Sequence, residues 1–361
     1  MNPPVPLAYA DVTADWMSAA LQARWPGVRV SALRRGAVFG YKQNKFKAHL
    51  QYAAPRPADA PDSVVVKGNF PAEEDPSTGS AWAMATELRS LRDVVPLVTA
   101  PVMPQWHYIG VRDDASAIVM EDLTPTGASF FDAFTPLSLP QARAFIDAFA
   151  RLHASSWNSA QFNPGGSMGP GSFAAENRRL VNDVYFPTFF QPAHWQSYVE
   201  RPRGRALPLQ FQDLARCATA WRRLWEELSG SAMVVVHGDE HLGNLYWSAR
   251  GEPGVLDWVA RPEHWPVGVA YFLLSCLDVA DRRRWDEELL RWYLERLAAH
   301  GVPQPLSFEE AWRLYRCACF YPVVTWLNNS AVWQPEAINT ANAVRAAMAA
   351  LDHDTFGLLG V

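Results

Sequence analysis

The sequence predicts an α+β fold in two parts, the first built on an antiparallel sheet and the second mainly helical. Three observations support this. Up to Met120, apolar residues alternate or cluster over strand-length runs, with two helical patterns among them. Beyond residue 126 the periodicity is helical almost throughout. Between the two, Glu121-Asp122-Leu123-Thr124-Pro125 changes from strand to turn composition. The expected division is therefore residues 1–120, a hinge at 121–125 and a helical part at 126–361.

Residues 12–24 carry Trp16, Ala20 and Leu21 at helical spacing, with Thr13 as cap and Pro26-Gly27 as terminator. Residues 28–40 and 46–52 then read as a hairpin of half-buried strands, whose tip (Gly40-Tyr-Lys42-Gln-Asn44-Lys45) is basic and glycine-flanked but is no G-x-G-x-x-G phosphate loop. Ser63-Val-Val-Val-Lys67-Gly68 is a third strand. A lysine that closes a buried valine run needs an anionic partner, because a buried, unpaired ammonium is too costly. Residues 79–93 form a helix with Trp82, Met84, Leu88 and Leu91 as apolar positions, and Glu87 beside that stripe is the partner expected for Lys67. Residues 106–111 and 117–120 complete the strands. Helices follow at 139–153, 209–228, 269–277, 285–299, 308–321 and 336–351, and the Gly-, Pro- and Ser-rich stretch at 155–172 reads as a flap near the substrate.

At 361 residues, with 49% hydrophobic and 19% charged residues, the chain is a compact globular protein of one large domain or two lobes. Its net charge of -5 gives no reason to expect nucleic acid or an anionic membrane as partner. Met1-Asn-Pro-Pro-Val-Pro lacks the regions of a signal peptide, and the uncharged stretch 317–335 is too polar to span a bilayer, so the cytoplasm is the expected location. Cys217, Cys276, Cys317 and Cys319 lack metal-ligand spacing and read as core.

The chemistry concentrates in Val234-Val-Val-His237-Gly238-Asp239-Glu240-His241-Leu242-Gly243-Asn244 and Gly254-Val-Leu-Asp257-Trp258. Two acids and an amide on neighbouring strand ends suit metal-assisted phosphoryl transfer. One carboxylate takes the proton of an attacking hydroxyl, while the other carboxylate and the amide hold Mg²⁺ on nucleotide phosphates. Either segment alone reads equally well as a turn, with Asp239 capping a helix. Both together, with Lys67 and Glu87 upstream, favour the chemical reading.

On Val66-Lys67-Gly68, Ala85-Thr-Glu87-Leu-Arg, Val119-Met-Glu121-Asp-Leu123, Arg151-Leu-His153, His237-Gly-Asp239 to Asn244, Leu256-Asp257-Trp258 and Val269-Ala-Tyr-Phe-Leu, the chain resembles the aminoglycoside phosphotransferase and choline kinase branch of the protein-kinase-like fold. It looks closest to small-molecule phosphotransferases of the ecdysteroid-kinase-like group. The resemblance implies a bilobal fold and an ATP- and Mg²⁺-dependent kinase. Asp239 would be its catalytic base, Asn244 and Asp257 its metal ligands, and Lys67, positioned by Glu87, its α/β-phosphate anchor. The backbone of Glu121 to Leu123 would bind adenine, and His237 would anchor the loop.

The chain departs from the family pattern in three places. Gly268 stands where relatives carry an acid that steadies the catalytic loop, Trp258-Val259 replaces Phe-Gly after Asp257 with no activation segment, and the hairpin tip is basic. All of the sixteen tryptophans except Trp16, Trp25, Trp82, Trp106 and Trp157 fall at or after Trp195. Residues 308–361 offer only Glu309, Glu310, Glu336, Asp352 and Asp354 against Arg313, Arg316 and Arg345, too few acids for a polycationic antibiotic. The expected acceptor is the hydroxyl of a small apolar or aromatic molecule. The alternatives are an aminoglycoside- or choline-type kinase and, from another class, a nucleotide-binding pseudokinase that acts as sensor or scaffold.

Overall fold

The computed structural model describes residues 3–39, 45–69, 80–112, 115–303, 306–331 and 333–361. The chain forms two compact units. One comprises Met1–Arg92 and Met103–Ala128, the other Asp93–Val102 and Ser129–Val361.

The first unit contains α1 (Ala14–Leu21), β1 (Val30–Phe39), β2 (Lys45–Tyr52), β3 (Ser63–Asn69), α2 (Ser80–Arg89), β4 (Trp106–Val111) and β5 (Ser116–Glu121). The strands form one antiparallel sheet in the order β1-β2-β3-β5-β4. The Thr13 hydroxyl caps α1 by accepting the Trp16 N–H. Period-2 alternation gives the sheet its buried face, where Phe46, Ala48, Val64, Val66, Ala117 and Val119 pack with Trp16, Met17 and Leu21 of α1. Trp16 meets Tyr108 edge-on at 5.0 Å between ring centroids. The hairpin tip singled out at residues 40–44 lies outside the described residues.

The second unit contains β6 (Ser129–Phe130), α3 (Leu139–Ala154), α4 (Phe173–Arg179), α5 (Phe186–Phe189), α6 (Pro192–Val199), α7 (Pro202–Arg205), α8 (Leu214–Leu228), β7 (Met233–Val236), β8 (Leu245–Trp247), β9 (Pro253–Val255), β10 (Arg261–His264), α9 (Trp265–Cys276), α10 (Val279–Ala299), α11 (Phe308–Ala318), α12 (Phe320–Asn328), α13 (Glu336–Asp352) and α14 (Thr355–Leu358). Short strands carry the functional loops: β7 pairs antiparallel with β10, and β6, β8 and β9 form a separate three-stranded sheet. α9 is buried along its whole length and packs against β7. Among the described residues, no helix is long and apolar enough to cross a membrane.

Several sequence expectations are revised. Residues 155–172 are a compact chain of turns. Asn158 exchanges bonds with Met233, its N–H meeting the Met233 carbonyl at 2.8 Å and its Oδ1 accepting the Met233 N–H at 3.0 Å. The segment is thus tied to the first residue of β7, at the other end of the strand from His237. Residues 173–205, where the sequence shows no strong periodicity, are helical. Pro187, Pro192 and Pro202 each sit in the first turn of a short helix, where a missing N–H costs nothing. The helix expected from residue 269 begins at Trp265, so Gly268 lies within α9 and not before it. The strand pairing also differs: β7 partners β10 and not β9, so Asp239 and Asp257 do not leave adjoining strands.

His153 on α3 is fully enclosed. Its Nδ1 meets the Tyr293 hydroxyl at 2.8 Å, and burial lowers its pKa from 6.5 to about 3. The unfolded chain takes up a proton there below about pH 6.5 and the folded chain does not, so stability falls as pH drops through that range. Between pH 7.5 and 5.5 this group alone should remove about 1.4 kcal/mol. Urea midpoints measured across that range should flatten in His153→Gln by about that amount.

Candidate active site

The apolar run of β7 buries Val234, Val235 and Val236 completely and delivers His237 into the interior. The His237 ring joins two loops. Its Nε2 donates to the Leu256 carbonyl at 2.7 Å, its Nδ1 accepts the Asp239 N–H at 3.3 Å, and its carbonyl accepts the Val259 N–H at 3.0 Å. Trp258 packs against it at 4.7 Å between centroids. Burial lowers the imidazole to about 4, and its electrostatic partners include both Asp239 and Asp257. A neutral ring with both nitrogens committed to backbone is an anchor, with no lone pair left for a base's work.

Gly238 follows in the left-handed region at φ 93°; a Cβ there would come within 2.4 Å of the Val259 carbonyl oxygen. The turn presents Asp239, whose side chain is 35% exposed. Tyr271 on α9 donates its hydroxyl to Asp239 Oδ1 at 2.8 Å, and Asn244 Nδ2 donates to Oδ2 at 2.8 Å. His241 Nε2 stands 3.4 Å from the same Oδ2. Burial pushes this carboxyl up, but His241, Tyr271 and His237 outweigh it and hold the group below its ordinary value. The carboxylate is thus charged, oriented and partly open to solvent.

Asn244 occupies a single 3-10 turn, Leu242–Asn244, and also donates to the Asp239 carbonyl at 3.0 Å, which turns its own carboxamide oxygen away from Asp239. Its carbonyl accepts the Leu256 N–H at 2.8 Å, tying this turn to the exit of β9. Asp257 leaves that exit at φ 53°, in the left-handed region that Asp and Asn enter more readily than other non-glycine residues. The loops that carry Asp239, Asn244 and Asp257 are therefore tied together, through His237 and the β8–β9 hairpin rather than by strand pairing. An amide oxygen and a carboxylate are hard donors suited to Mg²⁺. Among the described residues no three His, Cys, Asp or Glu side chains form a metal cage.

In the first unit, Lys67 lies within β3 near its end at 4% exposure and forms an ion pair with Glu87 of α2, itself 7% exposed. Each satisfies the burial cost of the other. Glu121 ends β5; its N–H donates to Gln105 O at 2.7 Å and its Oε2 accepts the Gln105 N–H at 3.1 Å. The Leu123 carbonyl accepts from Thr126. Between them, Asp122 is locked by Ser63 Oγ at 2.7 Å and Lys47 Nζ at 2.9 Å.

Sequence reasoning missed Tyr271, Glu240 and Arg261. Tyr271 was visible as part of Val-Ala-Tyr-Phe, but only packing brings it onto Asp239. Arg261 donates to the Tyr321 hydroxyl at 2.8 Å and to the carbonyls of Gly238 and Val259 at 3.5 and 3.4 Å. It lies in β10 (Arg-Pro-Glu-His), whose composition hides a strand.

A carboxylate held by a hydroxyl and an amide, a second carboxylate on a nearby loop and, in the first unit, a lysine–glutamate pair on a sheet are residue types that phosphoryl transfer uses. The sequence model of the phosphotransferase enzyme family matches residues 63–295, and the chain belongs to that family. It is accordingly a small-molecule kinase, a phosphotransferase with an alcohol group as acceptor. No curated protein matches it. Among solved structures, the choline kinase of Streptococcus pneumoniae is 13% identical, with 90% of this chain and 95% of that one covered and a TM-score of 0.47. An ethanolamine kinase of Plasmodium vivax is 10% identical over 86% and 81%, with a TM-score of 0.48. An aminoglycoside phosphotransferase of Alicyclobacillus acidocaldarius is 13% identical over 91% of each chain, with a TM-score of 0.45. The family assignment rests on the sequence model.

Gly238→Ala should destabilise the protein by roughly 1–3 kcal/mol, since the new methyl meets backbone and the φ is wrong for alanine. Urea denaturation checks this.

Proposed function

We propose that the chain transfers the γ-phosphate of ATP to the hydroxyl of a small apolar or aromatic molecule, with Asp239 as base. The observation that carries this reading is the double role of Tyr271. Its hydroxyl orients Asp239, and its ring belongs to an aromatic wall, 6.1 Å from Tyr321 and 6.0 Å from Trp326 between centroids. The wall continues through Trp221, stacked on Tyr321 at 5.8 Å, and Phe186 at 5.5 Å. Two of the five acids at 308–361 are paired with arginines: Glu336 with Arg203, and Asp352 with Arg282 and Arg283. These rings are themselves buried, 1–5% exposed, so they make the surroundings of the base apolar rather than offering an acceptor open surface.

The acceptor oxygen attacks the γ-phosphorus, the bond from that phosphorus to the β,γ-bridging oxygen breaks, ADP leaves, and the hydroxyl proton passes to Asp239. A carboxylate held below its ordinary pKa remains ionised near neutrality and ready to accept it. Lys67, braced by Glu87, would hold the α- and β-phosphates. Since the Glu121 N–H and Leu123 carbonyl are committed locally, adenine would meet the Glu121 carbonyl and the Leu123 N–H. Asn244 and Asp257 would hold Mg²⁺, which when bound neutralises charge on the phosphates. Positioning and charge dominate such a reaction, so fixed geometry around Asp239 matters more than a tuned nucleophile.

Asp239→Asn should lower turnover by ~10²–10⁴-fold while fluorescent ATP analogues still bind. Lys67→Met should weaken nucleotide binding by roughly 10–100-fold, the loss of one charged hydrogen bond. An ADP-release screen of hydroxylated sterols, terpenoids and phenols against aminoglycosides and choline should find turnover among the apolar alcohols. Turnover with aminoglycosides alone would overturn the acceptor assignment.

A further inference from the structure

Glu240 has no part in the steps above, yet its carboxylate is enclosed (the residue is 2% exposed) directly beside Asp239. Its Oε1 accepts the Gly238 N–H at 3.0 Å, and its own backbone N–H also holds the carboxylate. Those two peptide groups flank Asp239 on either side. The Cys276 thiol donates to the Glu240 carbonyl at 3.6 Å, and Arg261 reaches the Gly238 carbonyl, so the turn is gripped at consecutive points. Helix α9 leaves the room for this. A Cβ added at Gly268 would lie 3.4 Å from Glu240 Oε1, 3.0 Å from Val236 Cγ1 and 3.5 Å from His153 Cε1. A longer side chain there would compete with the carboxylate for the same space, so a buried Glu240 and a bare position 268 require each other.

We propose that Glu240 is a positioning residue of the phosphotransfer site. Its carboxylate, seated over Gly268, clamps the Gly238–Asp239 turn so that Asp239 meets Tyr271 and Asn244. The inference rests on Asp239 being the base. Burial raises the Glu240 carboxyl to about 7, with the Gly238 N–H and Arg261 pulling the other way. Ionised or protonated, the group keeps an oxygen for the Gly238 N–H, and so does glutamine. Leucine fills the same volume without an acceptor and removes a buried charge, so the fold should survive it.

The test compares Glu240→Gln, Glu240→Leu and Glu240→Leu/Gly268→Asp with the wild type. The readouts are Mg²⁺-dependent ATP hydrolysis with water as acceptor, melting midpoint and crystal structures. Glu240→Leu should lose about 100-fold in kcat with the KM for ATP unchanged, the usual effect of an ~1 Å misplacement. Its melting midpoint should hold, and Asp239 Oδ1 should move beyond about 3.5 Å from the Tyr271 hydroxyl. Glu240→Gln should stay within about threefold of wild type. The double variant should regain at least about tenfold over Glu240→Leu, because an acid returns to the same space from α9. The inference is overturned if Glu240→Leu retains the Asp239–Tyr271 contact, whether turnover is kept or falls only with the melting midpoint. Asp239→Asn runs alongside. If it retains turnover, or the wild type hydrolyses no ATP, the base assignment fails on its own terms and the crystal geometry alone decides the role of Glu240.

Discussion

The hydrogen bond from the buried His237 ring to the Leu256 carbonyl is the constraint on which the second unit's chemistry depends. It joins a loop that leaves one small sheet to a hairpin that belongs to another. Without it, Asp239 and Asp257 would sit on elements with no shared strand pairing. Donation to Leu256 needs only the Nε2 proton, whereas accepting the Asp239 N–H at Nδ1 needs the neutral ring, and burial favours that form. The Val259 N–H bonded to the His237 carbonyl adds a second tie in the same place, so the two exits are fixed in register as paired strands would be.

Within each unit, buried charge is handled by local pairing. Lys67 has Glu87, Asp122 has Lys47, and Glu263 on β10 has Arg178 and Asn182. Each pair removes the cost of an isolated ion in a low-dielectric setting and specifies a geometry at the same time. Asp239 differs in kind. Its partners are a hydroxyl, an amide and an imidazole rather than an ammonium or a guanidinium.

Much of the first unit was legible, because its signals are local. Thr13 caps the helix it precedes, the strands from Val30 to Glu121 alternate or cluster as a sheet with one buried face should, and Lys67 needs an acid that Glu87 supplies. The strand β10 was not legible. Arg261, Pro262, Glu263 and His264 carry no strand propensity, and they form one because β7 offers an edge and because Tyr321, Asn182 and Ser231 satisfy their side chains. The helices between residues 173 and 205 escaped for a related reason. They are short, all but α4 carry a proline in the first turn, and they are stabilised by packing more than by their own periodicity.

By itself the sequence determined which residues could do the chemistry, since the carboxylates, amide and lysine are set by residue type and by spacing along the chain. It also determined the change from sheet to helix near residue 121, because hydrophobic period is a local property. Tertiary structure alone decided how the site is held: that His237 bridges Asp239 to Asp257, that Tyr271 orients the base, and that Gly268 opens space for Glu240. Those contacts join residues far apart in the chain, and their free energy depends on burial and distance, quantities that exist only once the chain has folded.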